Sequence, residues 1–107
     1  MKIKECENVI IKLGENAYEN HELIKVSRPD FLWVHLKSFP SGHVVIESDS
    51  CDLFQLKIGM RMCLDGTKYR NMKDVTFSVT KISNIVCTEK KGEVQFKSNK
   101  KVLCYKL

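Results

Sequence analysis

Three side chains carry the sharpest chemistry in this 107-residue chain: Trp33, His35 and His43. Trp33 is the sole tryptophan. A residue of that bulk fits a buried core anchor, and it equally fits a stacking platform for an unpaired base. His35 and His43 flank the segment Lys37 to Gly42. Three roles suit them: structural rings bonded to backbone, contacts to phosphate or base, or part of a metal site with Cys51 or Asp49. The spacing His-x7-His-x7-Cys matches no structural zinc pattern, and His21 lies too far back to complete a familiar triad. Nucleophilic catalysis needs a base held against the nucleophile by a third group. The sequence has no Gly-x-Ser-x-Gly elbow, no His-Glu-x-x-His and no phosphate-cradling glycine loop. It therefore reads as non-enzymatic and without a cofactor or metal, with a metal-dependent hydrolase on His35 and His43 as an alternative.

A second set of residues is cationic. Lys68, Arg70, Lys73, Lys81, Lys90 and Lys91 fall at a helix end and at strand-end loops. Such positions can gather at one edge of a sheet, where they would neutralise phosphates and release counterions. The other reading is a solvated lysine-rich surface. Asn84, after Ser83, presents an amide to a base edge or caps a turn. The charge is uneven. Residues 1–50 hold 6 Lys/Arg against 8 Asp/Glu, whereas residues 51–107 hold 12 against 5, giving +5 overall. With a pI near 9.0, the chain is compatible with a polyanionic partner. No basic run exceeds two residues.

The elements that must position these groups follow from pattern. Val9 to Leu13 is rich in β-branched residues and reads as a strand, with room for a short strand before it. Gly14 to Asn16 is a turn, Asn16 to Lys25 a short helix, and Pro29 stops it. Phe31 to Leu36 and His43 to Glu47 are two strong strands joined by a Pro/Gly loop, an antiparallel hairpin. Alternation puts Leu32, Val34 and Leu36 on one face and Trp33 and His35 on the other. Ser50 to about Tyr69 is the main helix, from the spacing of Leu53, Leu56, Met60 and Cys63 or Leu64. Asp49 or Ser50 is its expected cap, and Gly59 and Gly66 weaken it. Val75 to Thr80 is a strand. Glu93 to Phe96 and Lys101 to Tyr105 form a last hairpin around a left-handed Asn99. The expected fold is one α+β domain over residues 1–107: a mostly antiparallel sheet, one main helix on one face and a short N-terminal helix.

Composition bounds the rest. Hydrophobic residues at 43% and charged residues at 29% are ordinary globular values. No stretch approaches the roughly 20 apolar residues of a membrane span, and the first residues lack the apolar run of a signal peptide. The five cysteines contain no Cys-x-x-Cys and read as free thiols in a reducing compartment, cytoplasmic or nuclear.

The segment from Gly14 through Asn16, Asn20 and Leu23, then Asp30, Trp33 and His35, then Pro40, His43 and Val44, resembles the NFACT-R domain. That domain is the RNA-binding module of the NFACT proteins of ribosome-associated quality control, and small eukaryotic coiled-coil-domain proteins carry it alone. The match spans residues 9–107. It is strongest at 14–46 and looser after, at Thr67-Lys68-Tyr69, Ser83-Asn84-Ile85 and Lys91-Gly92-Glu93-Val94. Val86-Cys87 stands where the family often has Lys-Lys, and Glu15 where it often has a base. The resemblance implies a non-catalytic module that binds RNA, rRNA or tRNA, around the ribosome. The candidate RNA contacts are Trp33, His35, His43, Asn84 and the six cations named above. The other NFACT domains are not matched, so no peptide-tailing activity is implied. A protein-interaction module without nucleic acid is the alternative reading.

Overall fold

A computed structural model describes all 107 residues. Strands β1 (Lys2–Cys6) and β2 (Val9–Leu13) form a hairpin in which Cys6 pairs with Val9. Glu7 and Asn8 make the two-residue turn, both with positive φ (49° and 67°), the conformation whose twist matches the flanking strands. Helix α1 (Ala17–Val26) starts where the Asn16 side chain accepts the Glu19 N–H at 2.9 Å. Strands β3 (Leu32–Leu36) and β4 (Val44–Ile46) form the expected hairpin.

Helix α2 (Leu53–Asp65) is shorter than its pattern predicts. Its cap is Asp52 rather than Asp49 or Ser50. The Asp52 carboxylate accepts from Gln55 N at 2.8 Å, and the Gln55 side chain accepts from Asp52 N at 3.2 Å. This reciprocal box satisfies two backbone donors that would otherwise be orphaned. At the far end the Thr67 hydroxyl donates to the Leu64 carbonyl, so Thr67 to Arg70 turn away instead of prolonging the helix.

Strands β5 (Thr76–Lys81), β6 (Ile85–Cys87), β7 (Val94–Phe96) and β8 (Leu103–Lys106) complete the fold. The main sheet is antiparallel with order β1-β2-β4-β3-β5-β8, and β6 and β7 pair separately. The fold is α+β with a main helix and a short one, as the sequence implies. The expected last hairpin is replaced. β7 pairs with β6, and β8 pairs with β5 at the sheet edge. Asn99 is not left-handed. It opens a 3-10 turn that carries the chain from the small sheet across to β5.

Each sheet face has its own core. On one, α2 lays Leu56, Met60, Cys63 and Leu64 against Ile11, Leu13, Val34, Leu36, Val44, Ile46 and Phe77. Gly59 lets the helix lie close: a Cβ there would stand 3.3 Å from Ile46 Cδ1. On the other face, Leu23 and Ile24 of α1 and Ile85 of β6 pack around Trp33 and Val45. β4 is buried on both faces, so its run Val44-Val45-Ile46 is continuously apolar, as a central strand requires. No helix is long and apolar enough to cross a membrane.

Candidate nucleic-acid interface

The period of two along β3 puts Trp33 and His35 on the same face, away from α2. Their rings stack with centroids 5.4 Å apart and planes within 4°. His43, the residue before β4, meets both edge-on at 5.5 Å and 4.9 Å. The indole N–H of Trp33 donates to His43 Nδ1 at 3.2 Å. His35 Nδ1 donates to the Leu36 carbonyl at 2.6 Å.

The backbone of His43 is tied in as well. Its N–H donates to Asn20 Oδ1 at 3.1 Å, and its carbonyl accepts from Gly14 N at 3.0 Å. Both tethers demand close approach. A Cβ on Gly14 would lie 2.2 Å from Asn20 Oδ1, and one on Gly42 would lie 2.2 Å from the Gly14 carbonyl oxygen. Gly14, Asn16, Asn20, Trp33 and His43 are thus one construction that holds the hairpin against α1. From the other side, the Cys63 thiol of α2 donates to Ser41 Oγ at 3.3 Å, and that oxygen also accepts the Leu36 N–H.

Burial sets the electrostatics. It drives the His43 imidazole down to about 3, with the neighbouring His35 lowering it further and the Gly92 backbone opposing. His35 is lowered too, chiefly by burial, against the Leu36 and Ser41 carbonyls. Both rings are neutral at pH 7. At pH 7 neither ring offers a phosphate a positive charge. No group of three His, Cys, Asp or Glu gathers to hold a metal ion.

Trp33 is 2% exposed and is covered by His35, His43 and Phe96. It is the core anchor, not an open platform, and the ring that reaches solvent in front of it is His35, which is half-buried. Beside His35 opens a cleft of about 550 Å³ between the end of β3, the start of α1 and the turn before β7. Lys37, Lys90 and Lys91 line it with Ser78 and Phe96, and Glu93 is its one carboxylate. The Lys91 ammonium lies 5.0 Å over the Tyr18 ring. A second cleft of about 490 Å³ shares Asn20, Pro40 and Ser41 with the first and is lined by Lys68, Thr67 and Glu15.

Of the six cations singled out from sequence, Lys68, Lys90 and Lys91 meet these clefts. Arg70 and Lys73 are exposed but line neither. Lys81 is committed elsewhere, its ammonium donating to the Asp30 carbonyl at 3.0 Å and to that of Asp49. Asn84 is buried with both amide donors used: Nδ2 donates to Thr80 Oγ1 and the Ser98 carbonyl, and Oδ1 accepts from Ser98 N. It ties the backbone of Ser98 to Thr80 of β5 and spends both of its amide donors inside the protein. Lys37 was missed by the sequence reading. The signal for it was its place between His35 and the Pro40-Ser41-Gly42 loop.

No family model matches this sequence, and no curated protein matches it. Among solved structures, the chain is similar to the C-terminal part of the fibronectin/fibrinogen-binding protein from Streptococcus suis. The TM-score is 0.83 at 22% identity, over 92% of this chain and 40% of that one. The likeness shows that the two share a fold, and this chain spans well under half of that structure.

Proposed function

We propose that this protein is a non-catalytic RNA-binding module of the NFACT-R kind, acting in the cytoplasm on rRNA or tRNA around the ribosome. The observation that carries this reading is the pair of adjoining clefts: Lys37, Lys90 and Lys91 line the first with the neutral His35 ring, and Lys68 lines the second. Ammonium groups around an aromatic surface are what unpaired nucleic acid uses, phosphates on the cations and bases on the rings. The net charge of +5 supplies long-range attraction to a polyanion.

Filter binding of a single-stranded RNA across a salt series tests it. Four neutralised phosphates give a log-log slope of about −3, and a flat response overturns the reading.

A protein-docking role is the second reading. The open edge of β8, where Leu103 is 56% exposed, can accept an added strand. The protein that shares the fold is named for binding fibronectin and fibrinogen. A partner protein retained after nuclease digestion, together with no RNA affinity, favours that reading over the first.

A further inference from the structure

The first cleft has more chemistry than contact with a phosphate backbone needs. Its inner wall is made of rings: Trp33 and His43, both buried, with the half-buried His35 and Phe96. Its rim is made of the exposed Lys37, Lys90 and Lys91. We propose that this cleft takes one unpaired nucleotide of a single-stranded RNA, its base against the His35 ring and its flanking phosphates on Lys37, Lys90 and Lys91. The inference rests on the RNA-binding reading and narrows it to single strands.

Size and shape agree. A volume of about 550 Å³ falls in the ~300–1,000 Å³ range of small-ligand sites. A duplex keeps its bases paired and stacked, so only a splayed base can enter and lie on an aromatic side chain. The His35 ring is fixed in advance, parallel to Trp33 behind it and bonded through Nδ1 to the Leu36 carbonyl. A held ring loses little freedom when a base meets it. Because burial keeps His35 neutral, the contact is a π-surface for the base, and the phosphates are left to the lysines. Glu93, the one acid in the lining, lies 3.3 Å from the Thr88 hydroxyl and leaves the cations in excess.

Fluorescence anisotropy on the full chain tests this at low salt, with a short uridylate strand and a blunt RNA duplex of equal phosphate number as probes. The strand is expected to bind about ten-fold more tightly than the duplex. His35→Ala removes that preference, bringing the strand and duplex affinities together. His35→Phe keeps the stacking surface and keeps the preference. A Lys90→Ala/Lys91→Ala variant weakens both probes and lowers the salt slope by about 1.4. Equal affinity for strand and duplex, unmoved by His35→Ala, overturns the nucleotide site while RNA binding itself stands. Tight binding of free AMP without preference for the strand also overturns it, as does equal binding of a polyglutamate peptide. No binding of either RNA removes the RNA-binding reading as well.

Discussion

His43 is held at three atoms, and each hold has a separate consequence. Its side chain accepts from the Trp33 indole, its N–H reaches Asn20 and its carbonyl receives Gly14. The imidazole must be neutral to accept. Its folded pKa of about 3 lies below the ordinary value of 6.5. Below pH 6.5 the unfolded chain gains a proton that the folded chain refuses. The stabilisation is therefore complete above pH 6.5 and is lost as pH falls toward 3. Between pH 7 and pH 5 the loss is about 2 kcal/mol, and lowered His35 adds to it. Urea denaturation at the two pH values checks this, and His43→Asn, which does not titrate, has the flatter profile. Gly14→Ala drives a methyl into Asn20 Oδ1 and breaks the same knot. It should cost about 1–3 kcal/mol, seen as a melting temperature lower by roughly 5–15 °C. That Trp33 and His35 share a face was legible from the period of two. That the indole is sealed and its N–H spent on His43 was not, because that bond depends on the path of the loop between them. Asn84 was ambiguous for a similar reason: a lone amide after a serine reads alike as cap or as base contact until the position of Ser98 is known.

The elements were largely legible where pattern and punctuation agreed. α1 follows from the turn residues Gly14 to Asn16 before it and the Pro29 stop after it, and β3 and β4 from their apolar runs. α2 was read too long because its Gly59, Gly66 and Thr67 carry opposite meanings. Gly59 sits inside the helix where the sheet comes closest, while Gly66 and Thr67 end it. Asp52→Ala removes the capping box and should lower stability by about 1 kcal/mol in a denaturant titration, with little change in RNA affinity. The last strands differ from expectation because Ser98 to Lys100 looks like a hairpin turn. In the fold it is a crossover, pinned where Asn84 binds Ser98 and where the Thr80 hydroxyl donates to the Lys101 carbonyl. Asn84→Ala strips three hydrogen bonds from that crossover. A destabilisation of about 2 kcal/mol is expected, and the still-folded protein should bind RNA as the parent does.

At the scale of the molecule, the charge asymmetry of the sequence is only partly resolved into a surface. The second half of the chain holds most of the cations, yet Lys81 is spent on backbone carbonyls and Arg70 and Lys73 lie outside both clefts. The clefts recruit Lys37 from the first half instead. Net charge alone would let any set of lysines attract RNA equally, whereas placement along the two adjoining clefts makes four of them special. Two variants of identical net charge separate these cases. One replaces Lys37, Lys68, Lys90 and Lys91 by alanine. The other replaces the exposed Lys57, Lys73, Lys100 and Lys101, none of which lines a cleft. In a salt series with single-stranded RNA, the cleft variant should lose its salt slope, falling from about −3 toward zero, while the control keeps a slope near that of the parent. Equal losses in the two variants would contradict the account.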